Sequence, residues 1–369
     1  MNGLRVGLVG PLPPPSGGMA NQTLQLAALL QAAGLEVETI QVNAPYVPAW
    51  SARLKGLRAV FRLLPYLLRL WRAAGRVDLF HVMANSGWSW HLYAAPAICI
   101  ARLRGTAVVV NYRGGEAEPF LRGSAAVVAL TLHRAQALIV PSGYLAAVFG
   151  ARGYQALVVP NIIDLARFRG APVPSQTAVN RLHLLVARNL EAIYDNAGAL
   201  RAFALVLEAR PEARLTIAGS GPLRAELEAL AAALGVAHAV RFSGRVEHAQ
   251  MAALYRQAGV LLNPSLVDNM PNCLLEALAS GVPIVSTNVG GVSFMVEAER
   301  TALLVPPADP RALADAVLRL AAQPALAERL IQNGLDQVQQ YCWPSVKPVL
   351  SQVYRDALAA PVGTLAAKS

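Results

Sequence analysis

Two acids, Asp268 and Glu276, flank the start of a segment built to seat a phosphate. Residues 265–281 read SLVDNMPNCLLEALASG and lead into Val282, Pro283, Ile284 and Val285. Pro belongs in the first turn of a helix and Gly just past its end, so the sequence predicts a loop, a helix and a stop at Gly281. The β-branched run that follows predicts a buried parallel strand. A helix start offers backbone N–H groups and the positive end of a dipole, which favour an anion. Glu276 is an acid in an otherwise apolar helix. There it can accept hydrogen bonds from ribose hydroxyls while the backbone from Asn269 through Met270, Pro271 and Asn272 to Leu274 holds a diphosphate. The alternative is an ordinary capped helix with one solvent-facing Glu.

The spacing of Asp268 and Glu276 resembles that of the paired acids in the retaining glycosyltransferases of family 4, and the likeness runs along nearly the whole chain. Asp268 departs from it, since Glu is the commoner residue there. The resemblance implies an α/β fold of GT-B type: two Rossmann-like, doubly wound parallel-sheet domains facing each other across a cleft. It implies transfer of a sugar from a nucleotide-diphosphate donor to an acceptor hydroxyl, with retention at the anomeric carbon. The family places an Arg on the donor diphosphate, matched by Arg188 beside Asn189, and a fixed guanidinium fork suits two phosphate oxygens. Six residues on, the family has a Lys; here it is Tyr194. Either Tyr194 hydrogen-bonds a phosphate or another Arg takes the Lys role. Gly17 and Gly18 match the donor-side glycine loop, and Gly219 and Gly221 match a Gly-rich loop after a second-domain strand. Arg245 and Val246 sit where the family positions the nucleobase, and Gly290 and Gly291 would approach the donor sugar or phosphate. In this frame Arg188 and the amides stabilise the leaving phosphate, Asp268 orients sugar hydroxyls and Glu276 holds the ribose.

The elements that must carry these residues can be read from periodicity. Strands are expected over 4–9, 36–42, 79–83, 107–111, 137–140 and 156–159, then over 182–186, 213–218, 239–242, 260–263 and 283–286, with helical patterns between them. A length of 369 residues suits two domains. The first is expected over 1–168, completed by a C-terminal helix within 343–360, and the second over 180–342. A Pro-rich linker is expected over 167–179, and Trp343-Pro344 should break the pattern before a last helix over 346–359. Cys99, Cys273 and Cys342 lie far apart without metal-type spacing, so buried reduced thiols are expected.

The first domain departs from the family more. Many relatives carry a His after the strand equivalent to 107–111, beside the transferred sugar. This chain reads Asn111-Tyr112-Arg113-Gly114-Gly115-Glu116. Arg113 and Glu116 are the acceptor- or sugar-side candidates. His81, on another strand, is either structural or a third contact.

The net charge is +10, carried by Arg, since the lysines are Lys55, Lys347 and Lys368. Residues 51–76 hold seven positive side chains and no acid. Lys55, Arg58, Arg62, Arg69, Arg72 and Arg76 fall along one helical stripe, beside an apolar stripe of Leu54, Leu57, Phe61, Leu64, Leu68 and Trp71. Pro65 should kink or split this helix. A basic amphipathic helix with Trp71 reads as lying on an anionic membrane surface, or else as a helix packed on the core with a solvated basic face. No nucleic-acid module accompanies it. No run of about twenty uncharged apolar residues predicts a transmembrane helix, and the N-terminus lacks a signal-peptide pattern. The expected location is cytoplasmic, peripheral on the inner membrane.

Several competing functions fit less well. The G-x-G-x-x-G fingerprint does not occur, which argues against a nicotinamide dehydrogenase. A phosphorylase dependent on pyridoxal phosphate needs a Schiff-base lysine, and none stands between Lys55 and Lys347. A sugar-nucleotide epimerase, and a catalytically degenerate nucleotide-binding subunit, are the alternatives kept. No Asp-x-Asp triplet implies a metal on the diphosphate, so no cofactor or metal is expected; the nucleotide-sugar is substrate. The expected acceptor is a lipid-linked saccharide in bacterial surface polysaccharide assembly.

Overall fold

Each half of the chain lays its short apolar runs side by side as a parallel sheet in the computed structural model, which describes residues 3–14, 17–46, 48, 50, 58–168 and 182–360. The first sheet contains β1 (Arg5–Gly10), β2 (Glu36–Gln41), β3 (Leu79–Ala84), β4 (Ala107–Tyr112), β5 (Ala137–Val140) and β6 (Ala156–Val158), in the order β2-β1-β3-β4-β5-β6. The second contains β7 (His183–Val186), β8 (Arg214–Ala218), β9 (Val240–Gly244), β10 (Val260–Asn263), β11 (Ile284–Thr287) and β12 (Leu303–Val305), in the order β12-β11-β10-β7-β8-β9. All pairings are parallel; Leu8 lies beside His81 and Leu262 beside Val285. Strand β12 has no counterpart in the sequence reading.

Each sheet reverses its winding once. The first does so between β1 and β3, the second between β7 and β10. At such a switch point the loops leaving neighbouring strands part and open a crevice at their carboxyl ends. The segments after β7 and β10 begin at Ala187 and Pro264, so Arg188 and Asp268 flank the second crevice.

Strand side chains alternate between the two faces, and both faces are covered. In the first unit Phe80, Val82, Val108 and Val110 pack with Tyr66, Leu70 and Ile98, while Leu79, Met83 and Val109 pack with Leu30, Val346 and Leu350. In the second, Leu184 and Leu262 meet Phe203 and Leu320, whereas Leu185 and Leu261 meet Leu274 and Leu278. Burying each such side chain contributes about 1.5–3 kcal/mol. One compact unit holds the chain up to Ile162 with the segment from Trp343 on; the other is Ile163–Cys342. The linker expected over 167–179 lies outside the described residues from 169 onward.

Two helix expectations need correction. The last helix is Trp343–Ala359, so Trp343-Pro344 opens it rather than interrupting the chain before it. Proline has no N–H to lose in a first turn, where none would be bonded. The helix Arg58–Ala74 runs through Pro65 as one element, so of the two outcomes expected of that proline the split does not occur. Its core side is Leu63, Tyr66, Leu67, Leu70, Ala73 and Ala74.

Candidate functional site

The helix Asn272–Ser280 forms as its sequence demands. Pro271 caps it in an extended conformation, and Gly281 ends it at φ +66°, a left-handed geometry that suits glycine. Cys273, Leu274 and the residues through Ala279 are buried, so Glu276 is driven into the core with them. Burial is the main force on it and pushes its carboxyl up to about 7, against the lowering effects of the Tyr255 hydroxyl, Arg188 and Arg167. Tyr255 also donates to the Cys273 carbonyl at 3.2 Å.

Arg188 and Asp268 reach each other across the switch point as an ion pair, Nη2 to Oδ2, each side chain 11 % exposed. The Tyr194 ring lies flat against the guanidinium, 4.0 Å from Cζ to the centroid, and Cys273 Sγ sits 3.8 Å from Nη1. Tyr194 thus supports the arginine as a cation–π partner; it does not replace a second positive charge. Burial is the largest single influence on Arg188 and opposes its charge, but Asp268, Cys273 and Tyr194 together outweigh it, so the guanidinium stays protonated. Burial likewise leaves the Asp268 carboxyl above its usual value, although Arg188 and the Asn269 N–H pull it down. Burial raises the Cys273 thiol to about 12, which makes it an inert neighbour. The Nε–H of Arg188 is buried and has no acceptor among the described residues.

The glycines act on this pair through the backbone. A side chain at Gly219 would strike the Arg188 carbonyl, and one at Gly221 the Leu190 carbonyl. The two loops are tied by Leu190 N to Ser220 O at 3.1 Å. Gly290, at φ +49°, gives way to the Asp268 carbonyl, which accepts from Gly291 N at 2.9 Å. These glycines grip the loops of Arg188 and Asp268. Behind Asp268, Asn263 donates to Ser286 Oγ at 3.0 Å, and Ser265 donates to Asn263 Oδ1 at 2.9 Å, a buried polar brace that motif spacing did not reveal.

The remaining second-unit candidates are dispersed. Asn189 is exposed and donates to Glu191 at 3.1 Å. Asn269, Met270 and Pro271 are buried and Asn272 half-buried at the helix start. Arg245 is exposed beyond the edge strand β9, with Val246 half-buried beside it.

In the first unit, Gly17 caps the helix Gly18–Ala32 in extended conformation beside the first switch point, with open space where a side chain would stand. Glu116 is exposed. His81 is wholly buried in β3, with Nδ1 2.8 Å from Tyr354 Oη and Nε2 2.9 Å from Asn111 Nδ2. Both ring nitrogens are engaged inside the core, so His81 is structural and the contact expected of it is withdrawn. Burial, aided by the Arg113 charge, lowers it to about 3 and keeps it neutral.

Lys55 lies outside the described residues, as does the Arg58 side chain. Arg62 stacks on Tyr46 at 4.0 Å, while Arg69, Trp71 and Arg72 face outward. Leu64 is 66 % and Leu68 49 % exposed, so the apolar stripe read beside the arginines is not the one that packs on the core. Among the described residues no helix is long and apolar enough to cross a membrane, and no group of His, Cys, Asp or Glu could hold a metal ion.

With this geometry in hand, the comparisons with known proteins are specific. Residues 183–323 match the family described as Glycosyl transferases group 1, and residues 16–167 match Glycosyltransferase Family 4. A D-inositol 3-phosphate glycosyltransferase of Streptomyces avermitilis is 33% identical over 57% of this chain and 48% of its own. The chain spans about half the length of the first curated relatives it matches. A phosphatidyl-myo-inositol mannosyltransferase of Mycobacterium leprae is 25% identical over 95% of this chain and 96% of its own. Among solved structures, a sucrose-phosphate synthase of Thermosynechococcus elongatus superposes with a TM-score of 0.77 at 23% identity, covering 97% of this chain and all of that one. Each half thus matches a glycosyltransferase family model, and the two six-stranded parallel sheets are those of the GT-B fold.

Proposed function

We propose that this chain of two glycosyltransferase domains moves a sugar from a nucleotide-diphosphate donor to an acceptor hydroxyl, retaining the anomeric configuration. The observation that carries the reading is the second switch point. There a buried arginine with an orphaned N–H, the start of the helix Asn272–Ser280 and a buried glutamate converge. A donor diphosphate takes the Arg188 Nε–H and the helix-start amides, which stabilise charge on the departing β-phosphate without rearranging. Glu276 accepts the ribose hydroxyls. Asp268 exchanges part of its hold on Arg188 for the hydroxyls of the sugar. The chain itself supplies positive charge to the leaving group, so the reaction needs no metal and no cofactor.

The acceptor we assign is a lipid-linked saccharide of a bacterial surface polysaccharide, met at the cytoplasmic membrane face. Supporting this are the exposed Val60, Leu64, Leu68 and Trp71, interleaved with Arg69 and Arg72 on one helix. The full-length relative named a phosphatidyl-myo-inositol mannosyltransferase points the same way. The test is incubation with radiolabelled UDP- and GDP-sugars, a bacterial lipid extract and a metal chelator. Label entering lipid, with the donor's anomeric configuration in the product, is expected. Label released only as free sugar would remove the lipid acceptor, and no turnover with any donor would return the chain to the nucleotide-binding subunit reading.

A further inference from the structure

We infer that the first unit carries a built site for an anionic sugar, with Arg113 as its cation. That the ligand is a saccharide rests on the transferase reading above; its negative charge rests on the geometry of this unit alone.

Arg113 leaves the end of β4, and its backbone N–H donates to Ala84 O at 2.9 Å, which holds it beside the end of β3. Its Nε donates to Asn111 Oδ1 at 3.2 Å, and Nη1 donates to Asn161 Oδ1. Asn111 is itself oriented: its Nδ2 donates to His81 Nε2, which makes Nδ1 the protonated ring nitrogen, facing Tyr354 Oη at 2.8 Å. Tyr354, His81, Asn111 and Asn161 thus fix the direction of the guanidinium. None of them neutralises it, because all four are uncharged. No carboxylate pairs with Arg113 among the described residues, and Glu116 is exposed.

Burial lowers Arg113 only to about 10, so it remains a cation at neutral pH. Arg113 is half-buried, and a charge partly withdrawn from water without a counter-charge carries a cost that is recovered when an anion arrives. Two of the five guanidinium donors are used, and the others have no acceptor among the described residues. A fork of that kind matches the paired oxygens of a carboxylate or phosphate. Groups suited to sugar hydroxyls stand beside the next residue, Gly114. Ser86 Oγ and Tyr112 Oη lie 2.7 Å apart, Asn85 Oδ1 crowds Gly114 from the same side, and nothing stands within 4 Å of where a Gly115 side chain would be. The segments after β3 and β4 bring these residues together at carboxyl ends of adjacent parallel strands.

The ligand class is therefore a saccharide bearing a carboxylate or a phosphate: a uronic acid as the sugar transferred, or a sugar phosphate on the acceptor. Calorimetric titration of the full chain with glucuronate, glucose 6-phosphate and glucose tests this, with a nucleoside diphosphate titrated separately. At least one acidic sugar should bind about tenfold or more tightly than glucose, the scale of one charged hydrogen-bonded contact. Arg113→Gln should abolish that preference, and Arg113→Lys should keep part of it. Preference for glucuronate assigns a uronic acid, and preference for glucose 6-phosphate assigns a phosphate. Equal binding of all three sugars by the wild-type chain overturns the inference, even if Arg113→Gln fails to fold. So does a preference that survives in a folded Arg113→Gln protein. Nucleotide binding without the preference removes this inference alone, whereas the preference without nucleotide binding removes the donor-site reading and leaves the anion site standing.

Discussion

Glu276 holds the sharpest conflict between stability and function. In the unfolded chain its carboxyl titrates near 4.5, and in the folded chain near 7. Between those values the folded chain binds a proton that the unfolded chain has lost, so stability falls as pH rises through this window and stays lower above it. Glu276→Gln should therefore stabilise the ligand-free protein by on the order of 3 kcal/mol at pH 8 and by little below pH 4.5, read from denaturant melts. The same change should weaken nucleotide binding, because an amide accepts ribose hydroxyls less strongly than a carboxylate. Wild-type affinity should accordingly rise between pH 6 and pH 8. Arg188 presents the opposite case. Arg188→Met leaves Asp268 buried without a partner and should cost about 3–5 kcal/mol. Arg188→Met with Asp268→Leu should recover most of that loss while leaving turnover absent. Motif spacing identified all three residues but not the Arg188–Asp268 pair, since a contact between residues 80 apart exists only once β7 and β10 are neighbours.

At the scale of elements, loops and helices hold these side chains in place. Gly290 sits at φ +49° against the Asp268 carbonyl, so Gly290→Ala combines backbone strain with a collision. We expect a loss of about 2 kcal/mol or more in stability and a larger proportional loss of turnover, because the displaced loop carries Asp268. Strand positions were readable because buried parallel strands are nearly continuous runs of Val, Ile and Leu. Which apolar stripe of the helix Arg58–Ala74 packs inward was not. It has two such stripes, and only the tertiary fold decides that Tyr66 and Leu70 are buried while Leu64 and Trp71 face out. Leu70→Ser should then unfold the domain. Leu64→Ser with Arg69→Glu and Arg72→Glu should leave it folded but release it from anionic vesicles in sedimentation at low salt. Vesicle binding unchanged in that triple variant would remove the membrane reading.

On the whole-molecule scale, a chain of net charge +10 whose halves each match a glycosyltransferase family model has one central claim: the second switch point holds a nucleoside diphosphate. Doubly wound parallel sheets were legible from strand–helix alternation and the GT-B fold from the resemblance carried by the 265–281 segment, and the family matches agree with both. What resisted reading was the polar interior. The Tyr354–His81–Asn111–Arg113 chain links the last helix, β3 and the end of β4, elements distant in sequence, and no local pattern announces it. The claim is tested most directly by the melting temperature of the protein with UDP, GDP, ADP and dTDP in turn, with and without Mg²⁺, for the wild type and Glu276→Ala. A ligand bound far above its Kd raises the melting temperature by mass action on the folded state. The account predicts a shift selective for one base, independent of Mg²⁺ and lost in Glu276→Ala. No shift with any nucleotide, or one that Glu276→Ala leaves intact, would contradict it.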